Sequence, residues 1–130
     1  CNCNSIALYN MSKEEAGIPL IEDCVKTFFI KYYTSPEVCS SFERLYQNVD
    51  GTLDKFAAFW SVVSKRFSSN PWVIGYDPIN EPWPANFYKD WSIFYTQSKF
   101  DLESLYPLLK KIEQVIRMND ENSIYFWEPA

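Results

Sequence analysis

The sequence predicts an α/β fold with parallel strands. Two continuous apolar and aromatic runs, at about 72–80 and 123–128, are short and typical of strands buried on both faces. Between them, Leu105, Leu109 and Ile112 recur at the three- and four-residue steps of a helix. Strand, crossover helix and strand make a βαβ unit, so we expect the strands to be parallel and the connection right-handed.

Upstream of the first strand, the pattern predicts a loop and then three helices. Residues 1–19 have no periodicity and carry Asn, Ser, Gly and Pro, which favours a loop. The first helix should end before Pro36, Ser35 should cap the second, and Thr52 should cap the third. The apolar stripes of the three helices are Ile21, Cys24, Val25, Phe28, Phe29 and Tyr32; Val38, Phe42, Leu45 and Tyr46; and Phe56, Phe59, Trp60, Val63 and Phe67.

The predicted crossover helix contains a proline, whose position in the helix is open. Leu102 and Ile116 extend its apolar stripe at the two ends. Pro107 lies either in the first turn, after a Ser104 cap, or at a kink inside a longer helix. The polar residues 118–122 then form a turn before the second strand.

The composition is that of a globular chain and excludes several kinds of chemistry. Among 130 residues, 47% are hydrophobic and 18% aromatic, enough for a core, and the net charge of −5 argues against a nucleic-acid partner. Histidine is absent, which removes histidine acid–base catalysis and His-ligated zinc from this segment. Proton chemistry must therefore use carboxylates, tyrosine or lysine, and we predict no metal and no cofactor.

The cysteines and one sequon bear on the compartment. Cys1, Cys3, Cys24 and Cys39 lack the paired spacing of a zinc site, and they fit two disulfides or four free thiols. Asn10-Met11-Ser12 is a glycosylation sequon, which favours a secreted or an endomembrane, including lysosomal, location. No apolar run approaches the ~20 residues of a membrane span. The chain starts with Cys and stops just after a strand-like run, so we expect both ends to be cut from a longer protein.

Two glutamates follow the predicted strands directly. Glu81 lies just beyond the first strand and Glu128 just beyond the second. In parallel α/β folds the carboxyl ends of the strands border the ligand crevice. Two carboxylates on that rim are the groups that glycoside hydrolysis requires, one as acid/base and one as nucleophile. A single Glu-Pro at a strand end is usually an ordinary loop residue, so neither glutamate decides the function alone.

The longer motifs around these residues point to a known family. Asn80-Glu81-Pro82 after a "GYD" strand resembles the acid/base motif of the retaining β-glycosidases of clan A. Within glycoside hydrolase family 5 it is similar to the endoglycoceramidase branch and its relatives that act on glucosylceramide. The resemblance is carried by "DGTLDKFAAFWSVVSKRF", "NPWVIGYDPINEPWP" and "YPLLKKIEQVIRMNDENSIYFWEP", and it covers about residues 41–129.

The resemblance implies a partial TIM (β/α)8 barrel with two parallel strands and their flanking helices. Residues 1–130 would be a fragment of one glycosidase catalytic domain, cut from a chain roughly twice as long, since complete barrels have about 250 residues. Residues 1–19 would be a loop, and about 20–130 would form the part of the barrel around strands 4 and 5. The substrate would be a carbohydrate or glycolipid, and a glycolipid would bring the protein into peripheral contact with lipid surfaces. The oligomeric state is left open.

The same resemblance assigns roles to the residues of the motif. Glu81 would be the general acid/base, and Asn80 would hydrogen-bond the sugar 2-hydroxyl. The acid must stay protonated near neutral pH, which desolvation by Trp83 and Tyr76 would favour. Trp83 would either stack on a sugar ring or pack the loop onto the barrel rim. Tyr46 and other aromatic residues at helical spacing are expected in the core.

Glu128 has two interpretations. Adjacent parallel strands lie about 4.8 Å apart, so topology alone would pair Glu128 with Glu81 as the nucleophile. The family pattern instead puts the nucleophile after strand seven, downstream of the strand that precedes Glu128. We follow the family pattern, which makes Glu128 a rim residue with a structural or substrate-binding role and the nucleophile a residue outside this chain.

Pro78 departs from the family pattern, which usually has an aliphatic residue there. Proline cannot donate to a strand ladder, so either the strand loosens at Asp77-Pro78 or the catalytic geometry of this chain is altered. The leading interpretation is a retaining β-glycosidase acting on glycosylceramide-type glycolipids, inactive as an isolated fragment. The alternatives are a family 5 β-glucosidase or endoglucanase acting on polysaccharide or steryl glucoside, a catalytically dead carbohydrate-binding relative, and a purely structural domain.

Overall fold

The computed structural model describes residues 20–26, 28–84, 86–96 and 98–129. The loop, the sequon, Cys1 and Cys3 predicted within residues 1–19 therefore lie outside the described residues. Helices pack against a short parallel sheet. In chain order the elements are α1 (Ile21–Cys24), α2 (Phe29–Tyr33), α3 (Pro36–Tyr46), a 3-10 turn (Val49–Gly51), α4 (Thr52–Phe67), β1 (Gly75–Tyr76), a 3-10 turn (Trp91–Phe94), a π-helical turn (Asp101–Leu105), α5 (Tyr106–Arg117) and β2 (Ile124–Tyr125).

The parallel pairing predicted from the sequence is confirmed, although the strands are shorter than expected. Gly75 lies opposite Ile124 and Tyr76 opposite Tyr125, with α5 in the crossover between the strands. Gly75 is required at this register because a Cβ there would overlap the carbonyl group of Ile124. The sheet does not extend over the predicted ranges 72–80 and 123–128.

Pro78 explains why the ladder ends early. The Ile124 N–H donates to the Ile74 carbonyl at 3.0 Å, and the Phe126 N–H donates to the Tyr76 carbonyl at 2.9 Å. In a parallel ladder the next bond would run from the amide of residue 78 to the carbonyl of residue 126, and proline has no N–H. The expected loosening at Asp77-Pro78 is therefore present. Before β1, residues 71–72 form a turn instead of strand.

The predicted burial of both strand faces is wrong within the described residues. Tyr76 is buried, whereas Trp72, Ile74 and Ile124 are exposed. Tyr76 lies in the helix-packed core, and the exposed apolar side chains meet no covering element in the part of the chain that the structure describes. An apolar run cannot by itself tell which face has a partner.

The core lies between α5, α4 and the buried face of β1. The apolar stripe of α5 is confirmed in its centre, because Leu105, Ile112 and Ile116 are almost completely buried, but Leu102 is exposed. In α4 the helix face that packs on the core differs from the predicted one, since Phe59 and Phe67 are exposed. The core consists of Tyr46, Leu53, Tyr76, Phe100, Leu105, Leu108, Leu109, Ile112 and Ile116, with Phe56, Trp60 and Val63 packed against it.

The single helix predicted before Pro36 is wrong. The structure has two short helices, α1 and α2, because Phe28 adopts an extended backbone with φ −61° and ψ 134°. Its predicted apolar stripe is exposed at Ile21, Val25, Phe28 and Phe29. Short helices gain little from their own hydrogen bonds, so without a packed stripe nothing holds the whole segment helical.

The two predicted caps have different outcomes. Ser35 caps α3 as expected, since its Oγ accepts the Val38 N–H at 3.3 Å. Thr52 does not cap α4, because its backbone is already helical, at φ −62° and ψ −43°. Its hydroxyl donates to backbone carbonyls instead, and the Asp54 N–H is accepted by Asn48 Oδ1 at 3.1 Å. The N-cap position is Gly51, which has no side chain, so Asn48 supplies the acceptor for the Asp54 amide from before the helix.

Pro107 lies in the first turn of α5, directly after a π-helical turn. Ser104 belongs to that turn and is not the N-cap. A π turn widens the helix and relaxes the i to i−4 hydrogen-bond pattern, which accommodates the missing proline N–H without ending the helix. Among the described helices, none has both the length and the apolar character to cross a membrane.

Candidate functional site

The loop that follows β1 presents polar residues on a proline frame. Pro78 and Pro82 are buried, whereas Asn80 and Glu81 between them are exposed. The prolines restrict the backbone and pack inwards, so the intervening pair faces solvent. This places the Asn-Glu pair just beyond the carboxyl end of a parallel strand, which is where ligands bind in open α/β sheets.

Glu81 has an unusual backbone that its neighbours hold in place. Its φ is +45°, in the left-handed region that non-glycine residues rarely adopt. Such a conformation costs about 1–2 kcal/mol and persists only where the surroundings impose it. The Tyr33 hydroxyl donates to the Glu81 carbonyl at 3.4 Å, and the Tyr46 hydroxyl donates to the Trp83 carbonyl at 2.8 Å.

Glu128 supplies a third contact to this loop. Its Oε2 accepts the backbone N–H of Glu81 at 2.8 Å. The structure thus brings together the two glutamates that the sequence analysis placed on one rim of the sheet. The contact joins the Glu128 carboxyl group to the backbone amide of Glu81. Glu128 therefore holds the loop through the main chain of Glu81 and leaves the Glu81 carboxyl group unengaged by this bond. Its predicted role in substrate binding stays a prediction.

Trp83 is half-buried, and its indole N–H points into the protein. The indole N–H donates to the Cys39 Sγ at 3.3 Å, and the ring meets Tyr33 edge to face with centroids 4.5 Å apart. Cys39 is a free, buried thiol, and burial raises its pKa against the opposing effect of the Trp83 hydrogen bond. These contacts pack the loop onto α2 and α3, which is one of the two roles expected for Trp83. Stacking on a sugar stays a prediction.

Tyr76 does not contribute to the aromatic enclosure expected around Glu81. Tyr76 points into the core instead, where its hydroxyl donates to Asp120 Oδ2 at 2.9 Å. Glu81 itself is exposed in the described part of the chain. The ring of Tyr76 packs in the core, so it does not cover the Glu81 side chain.

A polar cluster ties the segment after the loop to α3. Asn86 Nδ2 donates to Glu43 Oε2 at 3.2 Å, and Lys89 Nζ lies 2.7 Å from the same oxygen. Burial would raise the pKa of Glu43, but the hydrogen bonds from Lys89 and Asn86 outweigh it, so the pKa lies below its usual range. The charged carboxylate is thereby favoured, which keeps this attachment intact at neutral pH.

The two tyrosines that hold the loop from the other side are not predicted by the sequence patterns. Tyr33 lies outside the predicted apolar stripes, and the helical spacing of Tyr46 predicts a core position, which accounts for its ring but not for its hydroxyl. The contacts span 48 residues from Tyr33 to Glu81 and 37 from Tyr46 to Trp83. No local pattern encodes such distant pairs. A tyrosine where phenylalanine would pack equally well is the one signal that a hydroxyl has a partner.

A groove along the crossover helix is not lined by the loop after β1. It has a volume of about 430 Å³ and is lined by one face of α5 and by Tyr125 and Trp127. None of its lining residues lies in the loop of Asn80 and Glu81.

Comparison with known proteins supports the resemblance seen in the motifs. An endoglycoceramidase of Hydra vulgaris is 35% identical over 114 residues, which cover 88% of this chain. The chain is similar to endoglycoceramidases. A second relative of that name, from Cyanea nozakii, is 34% identical over the same share of the chain, and endoglycoceramidase I of Rhodococcus hoagii is 24% identical over 78% of it. No family model matches the chain.

The similarity covers most of this chain but only part of each relative. The chain spans 22% of the length of the Hydra and Cyanea proteins and 20% of the Rhodococcus protein. The names indicate that the chain is related to glycoside hydrolases. The mixed arrangement of helices around a parallel strand pair is compatible with a part of an α/β enzyme.

Proposed function

We propose that this chain is part of a retaining β-glycosidase that cleaves glycosylceramide-type glycolipids, with Glu81 as general acid/base. The observation that carries the proposal is the exposed Asn80-Glu81 pair, held just beyond a parallel strand by Glu128. The similarity to endoglycoceramidases over 88% of the chain supports the substrate class. In this proposal the whole protein is a family 5 (β/α)8 barrel, and β1 and β2 are its fourth and fifth strands.

The proposed reaction has two steps. In the first, a nucleophile outside this chain attacks the anomeric carbon while the Glu81 carboxyl donates its proton to the departing oxygen of the lipid. The glycosidic bond breaks, and a covalent glycosyl–enzyme intermediate forms. In the second, the Glu81 carboxylate takes a proton from water, which attacks the anomeric carbon and releases the sugar with retained configuration. Asn80 would bind the 2-hydroxyl, a bond that strengthens in the transition state.

The exposure of Glu81 fits a site that closes around its substrate. A glycolipid lying over the rim would remove water from the carboxyl and supply the desolvation that the described residues do not. The same substrate would place the rim near a lipid surface. Both consequences belong to the proposal and depend on the identity of the substrate.

Replacement of Glu81 by Gln in the complete protein tests the proposal. Glu81→Gln keeps the shape of the side chain and removes the titrating proton. A natural alcohol leaves only when protonated, whereas an activated phenol departs without help, so the loss should be roughly 10²–10⁴-fold larger on glycolipid than on an activated aryl glycoside. Values of kcat/KM on both substrates measure this difference, because kcat/KM reports the first step and not the hydrolysis of the intermediate.

The second step provides an independent check on the same variant. Without a base, the covalent intermediate should accumulate, and azide should restore turnover because it attacks without base assistance. The expected product is the β-glycosyl azide, identified by its retained configuration. Equal losses on both substrates with no rescue by azide would show that Glu81 is not the acid/base.

A further inference from the structure

We propose that Glu128 is a positioning residue, which sets the direction of the Glu81 side chain by holding the Glu81 main chain. This inference rests on the proposed function of Glu81. Glu128 makes no contact with the substrate in this proposal. Its Oε2 accepts the Glu81 N–H at 2.8 Å, and the bond links the residue after β2 to the loop after β1.

Two peptide planes meet at the Cα of Glu81, and both are held by other side chains. Glu128 holds the preceding plane through its N–H, and Tyr33 holds the following plane through its carbonyl. Two fixed planes determine φ and ψ, and these determine where the Cα–Cβ bond points. The side-chain direction of the proposed acid is therefore set by contacts that do not involve its carboxyl group.

The strained backbone makes this hold necessary. At φ +45° the backbone of Glu81 lies in the left-handed region, which a non-glycine residue keeps only where its surroundings impose it. The hydrogen bond from the Glu81 amide to the Glu128 carboxyl group opposes the relaxation of that conformation. When the bond is lost, the loop should relax towards negative φ, and the Glu81 carboxyl would turn away from the scissile oxygen.

Glu128 is itself well placed to act as a fixed support. It precedes Pro129, which disfavours a helical backbone at Glu128. The register of the sheet brings it alongside the loop, because Tyr76 and Tyr125 are paired and each strand continues towards its own glutamate. The register of the two strands therefore determines where Glu128 lies relative to Glu81.

The test uses three variants of the complete protein. Glu128→Ala removes the acceptor, Glu128→Gln keeps an uncharged acceptor, and Glu121→Ala changes an exposed glutamate in the turn after α5 as a matched control. A displacement of about 1 Å at a catalytic group can cost about 10²-fold, so Glu128→Ala should lower kcat on glycolipid by roughly 10–100-fold. KM should stay within about threefold, and Glu128→Gln should lose several-fold less.

Combination with Glu81→Gln distinguishes positioning from direct action. If Glu128 acts through Glu81, Glu128→Ala should add less than about threefold to the loss already caused by Glu81→Gln. The loss from Glu128→Ala should also be smaller on the activated aryl glycoside, as for Glu81→Gln itself. A raised KM, or an undiminished loss in the Glu81→Gln background, would overturn the proposal in favour of direct substrate binding.

Amide exchange separates this inference from the function on which it rests. The peptide spanning residues 77–84 carries few exchangeable amides, since Pro78, Pro82 and Pro84 have none. Its deuterium uptake should be faster in Glu128→Ala than in the control, and intermediate in Glu128→Gln. Unchanged uptake in Glu128→Ala overturns the positioning role even if Glu81 proves to be the acid/base. Equal losses of Glu81→Gln on both substrates instead overturn the catalytic role, whatever the uptake.

Discussion

At the scale of single residues, buried tyrosine hydroxyls connect distant parts of the chain. Tyr76 is almost fully buried in β1, and its hydroxyl donates to Asp120 Oδ2 at 2.9 Å. Burial first, and then the hydrogen bond and the charge of Asp120, raise the pKa of Tyr76 to about 12. The contact joins β1 to the turn between α5 and β2, so it fixes the end of the crossover connection against the first strand.

Tyr76→Phe should destabilise the protein by about 1–2 kcal/mol, because it removes a hydrogen bond to a charged group and leaves the ring in place. The folded pKa lies above the unfolded value of 10.0, so this contribution is complete below pH 10 and is lost as pH rises towards 12. Urea unfolding of the wild type and the variant at several pH values measures it.

Tyr95→Phe is the matched control for that substitution. Tyr95 is 84% exposed, so the change should alter the free energy of unfolding by less than about 0.5 kcal/mol. A stability difference between wild type and Tyr76→Phe that stays constant up to pH 12 would mean that the hydroxyl does not carry the stabilisation.

At the scale of elements, the start of α4 depends on a residue that lies before it. Asn48 has φ +55°, its Oδ1 accepts the Asp54 N–H at 3.1 Å, and its Nδ2 donates to Asp54 Oδ2 at 2.9 Å. Asparagine is one of the few residues that combine a left-handed backbone with a capping side chain. Asn48 thus sets where α4 begins, and α4 in turn supports the core.

Replacing Asn48 separates these two contributions. Asn48→Gly loses the side-chain hydrogen bonds to Asp54 and keeps the backbone freedom, so it should cost about 0.5–1.5 kcal/mol. Asn48→Ala loses the cap and adds the strain of a left-handed alanine, about 1–2 kcal/mol more. Chemical unfolding of the two variants measures the difference. An alanine variant as stable as the glycine variant would show that the left-handed backbone is not retained.

At the scale of the whole molecule, this chain exposes more apolar surface than an isolated soluble domain usually does. Phe28 and Phe29 lie exposed near the candidate site, and Trp72, Ile74 and Trp127 lie exposed on and beside the sheet. In the described residues β1 and β2 pair only with each other, which leaves an open edge on either side. Exposed apolar patches and unpaired edges both promote association.

Residues 1–130 on their own should therefore aggregate and show no glycosidase activity. Light scattering should rise with protein concentration, and a dye that binds apolar surface should fluoresce strongly. An activated aryl β-glucoside should not be hydrolysed, because the proposed nucleophile lies outside the chain. Turnover of that substrate by a purified monomer would contradict both the missing nucleophile and the partial barrel.

The sequence by itself determined the features that depend on neighbours along the chain. Periodicity at three and four residues located the buried centre of α5, and the Ser35-Pro36 pair located the start of α3. The order of strand, helix and strand required a parallel pair, since a crossover of that length returns the chain in the same direction. The place of Asn80 and Glu81 beyond β1 followed from the same local reasoning.

Only the tertiary structure decided which apolar faces are covered and which side chains hold the loop. Periodicity is the same whether or not a partner exists, so the exposed stripe of α1 and α2 was not predictable. The contacts of Tyr33, Tyr46 and Glu128 with the loop span 37 to 48 residues. Such contacts form only when packing brings distant residues together. A local sequence pattern cannot predict them, because it reflects interactions between residues that are close in the chain.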